Sequence, residues 1–244
     1  MTLYQRLGTM HRLLRHRFHV EPAELRFLLS RQFQGGSVLD IGAHRGIYSY
    51  WMHRRFRDGT RVVAFEPQAE LAENLSDLKQ AFHLDRMLTV PLALSSRSGA
   101  LPLHRHREHW SRATVDEYCP DGSRIDIFDV PVTTVDEYLA DHPELRPVRF
   151  IKCDVEDHEA DVLAGAELTL RDDRPELLVE WSTPRRAYRE KLFQQMQRLE
   201  YSVYQFECGR LKLCKSAERR SPPSWELGPK YVMLPREVAV AAAA

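Results

Sequence analysis

No stretch of this 244-residue chain stays apolar for the ~20 residues that a bilayer crossing needs, and its first residues lack the uninterrupted apolar core of a secretory leader. An integral membrane segment is therefore not expected, and the cytoplasm is the expected compartment. Charge of one sign is missing too. With 35 Lys and Arg against 35 Asp and Glu, no global field draws the molecule to nucleic acid or anionic lipid. A small uncharged or mixed acceptor suits such a chain better than a polyanion. The four cysteines, Cys119, Cys153, Cys208 and Cys214, have no paired metal-ligand spacing and read as reduced thiols. Internal repeats are absent, and the length fits a single core with appended helices.

A further absence narrows the ligand. The dinucleotide fingerprint G-x-G-x-x-G, counted from Gly42, meets His44 and Ile47 where its other glycines belong. What is present is Ser37-Val-Leu-Asp-Ile-Gly-Ala-His-Arg-Gly-Ile-Tyr-Ser49, then Arg61-Val-Val-Ala-Phe-Glu-Pro67. The first run reads as a strand, a glycine turn and a helix N-terminus; the second ends on Glu66 at the carboxyl end of a neighbouring parallel strand. A carboxylate there accepts both hydroxyls of a ribose. The spacing Asp40-x-Gly42-x-x-x-Gly46 suits a ligand without pyrophosphate, with Asp40 meeting an ammonium group. S-adenosyl-L-methionine has these parts: a cationic amino-acid end, a sulfonium and a ribose. A nucleotide-dependent oxidoreductase is the rival that the missing third glycine disfavours.

Along the chain, residues 1–36 read as a helical extension whose apolar stripe is Leu3, Leu7, Met10, Leu14 and Phe18, with Arg6, Arg12, Arg15 and Arg17 around it. Such a stripe packs on the domain, covers the cofactor, lies on a membrane or pairs with a second copy as a homo-oligomer. A domain over residues 37–236 then alternates strands at 38–41, 62–66, 88–94, 148–154 and 177–180 with helices at 48–56, 70–81, 134–141, 159–170 and 187–199. Strands at 202–206 and 230–234, with 211–214 as a third candidate, follow. Residues 101–132 read as an insertion forming a hairpin over the active-site edge, and 237–244 as a frayed tail. The expected fold is α/β: a central, mostly parallel sheet, helices on both faces and antiparallel strands at its C-terminal side. Asp40, Glu66, Asp154 and Glu180 all fall at carboxyl ends of strands, where such sheets open their ligand crevice.

Five motifs occur in order: Asp40-Ile-Gly-Ala-His-Arg-Gly-Ile-Tyr-Ser49, Ala64-Phe-Glu-Pro67, Thr134-Val-Asp-Glu-Tyr138, Ile151-Lys-Cys-Asp-Val-Glu-Asp-His-Glu159 with Val162-Leu-Ala-Gly-Ala166, and Glu176-Leu-Leu-Val-Glu180. Together they resemble the FkbM family of S-adenosylmethionine-dependent methyltransferases, which have the Rossmann-like class I methyltransferase fold. The resemblance implies methyl transfer to a hydroxyl of a sugar or secondary metabolite, hence a small-molecule or glycosyl acceptor in natural-product biosynthesis. It also implies that Asp40, Gly42 and Gly46 cradle the methionine and sugar parts of the cofactor, that Glu66 holds the ribose and that Ser95 lies near the adenine. His44, Tyr48, Pro67 and Asp154 belong to the same cofactor-binding set. The family carries asparagine where this chain has His44 and glycine where it has Asp157. From these departures comes the alternative of a scaffold that binds the cofactor without turning over.

Methyl transfer is an in-line displacement, so the enzyme aligns the acceptor oxygen and removes its proton. Lys152, Asp154, Glu156, His158 and Glu159 form the densest titratable cluster. Asp154 or His158 is the candidate general base, with Glu156 orienting it. Strand alternation places Lys152, Asp154 and Glu156 on one side. The competing structural reading makes Lys152 part of an ion pair and Glu159 the acidic start of a helix. Asp154, Glu156 and Glu180 offer oxygen ligands for Mg²⁺, an option that their spacing does not demand. His104, His106 and His109, with Arg105, Arg107 and Trp110, read as a solvated hairpin or as a site for zinc or a phosphorylated acceptor. Trp181 reads as core or as a sugar platform.

Overall fold

The apolar runs around Val38, Val62, Ile151 and Leu178 show almost no polar alternation, which is the pattern of strands covered on both faces. In the computed structural model, which describes residues 1–57, 59–106, 113–115, 125–181, 186–216 and 230–243, they lie side by side. The chain begins with α1 (Leu3–Arg15), a π-helical segment (His16–Val20) and α2 (Pro22–Ser30), followed by β1 (Ser37–Ile41), α3 (Ile47–Arg55), β2 (Arg61–Phe65), α4 (Ala69–Phe82), β3 (Met87–Val90) and β4 (Ala93–Leu94). Next come β5 (Gly99–His106), β6 (Ala113–Thr114), β7 (Ile125–Thr133), α5 (Val135–Asp141) and β8 (Val148–Cys153). The remainder is α6 (Glu159–Ala164), α7 (Glu167–Asp172), β9 (Glu176–Glu180), α8 (Arg186–Arg198), β10 (Tyr201–Glu207), β11 (Arg210–Leu213), β12 (Lys230–Pro235) and α9 (Arg236–Ala243).

The main sheet runs β11-β10-β12-β9-β8-β1-β2-β3. Its strands from β9 to β3 are parallel, and β12, β10 and β11 continue it antiparallel. Side chains alternate between faces at period two. Leu39, Ile41, Val63 and Phe65 join the core cluster beneath α5 to α8, whereas Val38, Val62 and Ala64 join the one beneath α1 to α4. Both faces are therefore covered, as expected for an α/β sheet of this kind.

Several expectations are corrected. A single strand over 88–94 does not form, because Pro91 has no N–H to give a ladder. β3 stays in the main sheet, while β4 pairs with β7 in a second sheet of order β4-β7-β5-β6. The single helix over 159–170 is two helices. The Asp136 carboxylate accepts the backbone N–H groups of Leu168 and Thr169 and so starts α7 anew. The tail is also not frayed: Arg236–Ala243 is helical, Ala239 is buried, and Glu237 is gripped by Arg174 through two 2.9 Å bonds. Alanine is the best helix former, so such a tail needs little help.

Of the uses expected for the first-helix stripe, packing on the domain is seen at Met10, and the rest of the stripe faces outward. Leu3, Leu7, Leu14 and Phe18 are exposed, and Leu13 is the residue of α1 that is fully buried. α1 and α2 contribute Leu13, Leu25 and Leu28 to the cluster that α3 and α4 build, so the extension shares their core. The expected insertion is an antiparallel pairing of β5 with β7 over Ala93, Leu103, Val130 and Val132.

Candidate active site

β1 and β8 are adjacent in the sheet, yet the chain runs from β1 to β2 and β3 on one side before returning to β8 on the other. Loops leaving such a switch point diverge and open a crevice at the carboxyl ends of the strands. A cavity of about 620 Å³ lies there, walled by Gly42 and His44 after β1, Glu66 and Pro67 after β2, Asp154 and Glu156 after β8, and Glu180 closing β9.

Glu66 is the best fixed of these. It is 3% exposed. One carboxylate oxygen accepts the His44 backbone N–H at 2.9 Å and the other accepts the Gln68 N–H at 3.0 Å. The Gln68 side chain also donates to this carboxylate, and its remaining acceptor capacity is available to a ligand hydroxyl. Burial pushes the carboxyl up from its ordinary range, and the two N–H bonds oppose that push. The His44 N–H reaches Glu66 because the backbone there is left-handed, with φ 50°. Burial, then the charges of Arg45 and Lys152, pushes the His44 imidazole down to about 4, so it is neutral at neutral pH.

The two glycines of the turn serve different ends. Gly42 has φ 74°, and a Cβ on it would stand 1.9 Å from the Asp154 carbonyl oxygen, so the loops after β1 and β8 touch only because no side chain intervenes. Gly46 has φ 73° as well, but its missing Cβ would strike Leu78 at 2.5 Å and Leu75 at 2.8 Å. Gly46 therefore docks the start of α3 on α4 and does not wall the cavity.

Asp40 and Tyr48 are also set back from the cavity. Asp40 is fully buried, accepts from the Ser49 hydroxyl at 2.5 Å and lies 3.8 Å from the Lys152 ammonium. Among the described residues it is a counter-ion to Lys152. Tyr48 is buried with its ring 5.2 Å from the Lys152 Nζ, and its hydroxyl has no hydrogen-bond partner among the described residues. Lys152 also approaches Asp154 at 3.2 Å and donates to the Gly42 carbonyl at 3.2 Å. Burial by itself would lower its pKa, but Asp154 and Asp40 hold it above the ordinary lysine value. Lys152 thus ties the floor of the cavity to the turn after β1.

The alternation that placed Lys152, Asp154 and Glu156 on one side ends with the strand at Cys153. Glu156 and Asp157 follow in left-handed backbone, φ 54° and 76°. This turn brings both Asp154 and Glu156 to the cavity while Lys152 lies beneath it. Asp157 stands where the family carries glycine and adopts the conformation a glycine would supply, which aspartate tolerates better than most residues.

His158 also lines the cavity. Its Nε2 is 2.8 Å from the Ser95 Oγ and its Nδ1 is 3.7 Å from Asp161. The order Ser95, His158, Asp161 has the sequence of groups of a nucleophilic relay. Ser95, however, is 3% exposed and does not wall the cavity, and its hydroxyl meets the imidazole. Glu159 begins α6, accepts the Val155 N–H at 2.9 Å and is pushed up to about 8 by burial. The structural half of the sequence reading holds for it.

Sequence reasoning expected residues 101–132 over the active-site edge and offered the N-terminal helices as a cover, but named no residue as part of the far wall. Arg12, Arg15 and His16 from the N-terminal helices and Leu103, Ala113 and Val115 from the second sheet line the same cavity. Lys230 at the start of β12 clamps the N-terminal segment by pairing with both Glu21 and Glu180, the latter at 3.1 Å. Burial, reinforced by the charge of Asp154, holds Glu180 well above the usual carboxylate range. The basic character of α1 was the one available signal, and nothing in it names the face turned inward.

Among the described residues no three His, Cys, Asp or Glu side chains converge closely enough to hold a metal ion. In the basic patch, Arg105 is engaged by Glu70 at 3.1 Å and Asp126 at 3.7 Å. The His106 side chain and Arg107, His109 and Trp110 lie outside the described residues. Trp181 is buried edge-on against Tyr231 at 5.3 Å, which is the core alternative. Among the described residues no helix is long and apolar enough to cross a membrane.

Residues 40–209 match the family model described as the Methyltransferase FkbM domain. Among solved structures, the chain is similar to a methyltransferase FkbM from Methylobacillus flagellatus KT at TM-score 0.51 and 13% identity, over 84% of this chain and 45% of that one. It is similar to an O-methyltransferase from Bacillus cereus in complex with SAH at TM-score 0.50 and 16% identity, over 93% and 90%. An rRNA methylase from Streptococcus thermophilus gives TM-score 0.50 and 12% identity over 86% and 92%. Likeness at these identities speaks to the fold alone, and the chain spans under half the length of the FkbM structure it matches. No curated protein matches the chain. Because the family model covers well over half of its length, the chain belongs to the FkbM methyltransferase family.

Proposed function

We propose that this chain is an S-adenosylmethionine-dependent O-methyltransferase acting on a hydroxyl of a sugar or secondary metabolite. The observation that carries the cofactor half is Glu66, a carboxylate aimed into the cavity by the N–H groups of His44 and Gln68 at the end of β2. Such a pre-oriented acceptor suits a ribose diol. Glu66, Pro67, Gly42 and His44 are the residues of the expected set that would hold the cofactor. When bound, S-adenosylmethionine supplies an electrophilic methyl group on a sulfonium.

What remains for the chain is to align an acceptor oxygen and take its proton. Asp154 is the proposed base. Lys152 faces its Oδ2, and its Oδ1 has no partner among the described residues. His158, held by Ser95 and Asp161, is the second group within the cavity able to move a proton. Glu156 lines the same wall and is the proposed orienting group.

Calorimetric titration with S-adenosylmethionine and S-adenosylhomocysteine, beside Glu66→Ala, tests the reading. Micromolar binding by the wild-type chain, weakened about 10- to 100-fold in the variant as charged hydrogen bonds are lost, is the expected result. No binding to folded, cofactor-free protein would overturn it.

A further inference from the structure

One end of the cavity is cationic and its charges are unspent. Arg12 and Arg15 project from α1 and Arg45 from the turn after β1, and all three line the cavity. Among the described residues none of the three donates a hydrogen bond or enters an ion pair. Arginines elsewhere in the molecule with buried surroundings find acceptors: Arg31 pairs with Glu176, and Arg86 donates to several backbone carbonyls. Arg12 is half-buried, and burial and then the nearby Arg45 charge lower its pKa, whereas Arg15 and Arg45 are exposed at the cavity mouth. His16, beside them, is likewise lowered by burial and by Lys230, Arg15 and Arg12, so its neutral form is favoured there. The carboxylate nearest in sequence, Glu21, is committed to Lys230.

Guanidiniums that line a cavity without an acidic partner keep their donors for solvent or for a bound anion. We infer that Arg12, Arg15 and Arg45 form a subsite for an anionic oxygen group, a carboxylate or phosphate, carried by a ligand of this cavity. Guanidinium groups suit such a group because their planar N–H forks bind two oxygens at once. The subsite belongs to the cavity of the proposed methyltransferase and so rests on that reading. Two ligands offer the chemistry: the cofactor, through the carboxylate of its amino-acid end, and the acceptor, through an acidic substituent. In either case α1 is a recognition element, and the chain's overall neutrality conceals a locally cationic wall.

The test uses the full chain with Arg12→Gln and Arg45→Gln, whose thermal midpoints are checked against wild type. Three probes are titrated by calorimetry: S-adenosylhomocysteine, 5′-methylthioadenosine, which has the nucleoside but no amino-acid end, and inorganic phosphate at constant ionic strength. If the variants weaken S-adenosylhomocysteine about tenfold or more and leave 5′-methylthioadenosine unchanged, the anion is the cofactor's carboxylate. If instead phosphate binds the S-adenosylhomocysteine-loaded wild type and the variants lose it, the anion belongs to the acceptor. Unchanged binding of all three probes in both variants overturns the subsite. Failure of wild type to bind S-adenosylhomocysteine would sink the methyltransferase reading, while phosphate titrated into the ligand-free chain would still report on the three arginines.

Discussion

In the turn after β8, Glu159 is 1% exposed and one of its carboxyl oxygens accepts the Val155 N–H, so a charge on it has little solvent. Burial raises its folded pKa from 4.5 to about 8. Between those values the folded state binds more protons than the unfolded chain. The stability this group contributes is therefore complete below pH 4.5 and lost as pH rises towards 8. Glu180, raised by the same cause, adds a loss of the same sign. Glu159→Gln replaces the neutral acid with a neutral amide that still accepts from Val155. The variant should match wild type near pH 4.5 and exceed it at pH 8, each kcal/mol appearing as about 2–4 °C in Tm for a chain of this size. An equal gain at both pH values would show that titration is not the cause. At this scale the sequence was partly legible. Glu66 stood out because it ends an apolar strand, but the burial of Asp40, Tyr48 and Ser95 depends on partners far along the chain, Lys152 and His158.

Helices and strands were readable where their causes are local. Thr134 caps α5 through the Glu137 N–H at 3.0 Å, and Pro22 starts α2 at its first turn, both visible as residue types in order. The breaks at Pro91 and between α6 and α7 differ in kind. Proline acts within its own strand, whereas α7 restarts because Asp136, 32 residues earlier, reaches Leu168. The N-terminal segment is likewise held from a distance, by Lys230 between Glu21 and Glu180. Lys230→Met removes the partner that buried Glu21 shares with Glu180, a loss of about 3–5 kcal/mol. Faster amide exchange across residues 16–28, with the exchange of β1 and β8 little changed, is the expected signature. Protection retained across 16–28 would mean that packing of Leu13, Leu25 and Leu28 holds the segment without the clamp.

At the scale of the whole molecule, one cavity draws its walls from the N-terminal helices, the main sheet and the second sheet. Thr114 of β6 donates to the Glu156 carbonyl at 2.7 Å and joins the second sheet to the turn after β8. Thermal unfolding should therefore be a single transition. S-adenosylhomocysteine at 100 times its Kd should add about 2.7 kcal/mol and raise the midpoint by roughly 5–10 °C. Two resolved transitions, only one displaced by ligand, would show that the N-terminal helices unfold as a unit separate from the cavity.

The sequence by itself determined the sheet and the family, because apolar runs, glycine turns and strand-end carboxylates act through neighbours in the chain. It also placed Glu66, Asp154 and Glu180 at strand ends that meet in one crevice. Only the tertiary structure decided which residues of α1 turn inward, that Gly46 packs on α4, and that Asp40 serves Lys152. Those outcomes are set by which surfaces meet across tens of residues, and helical periodicity in a segment with arginine on every side does not specify the face that becomes buried.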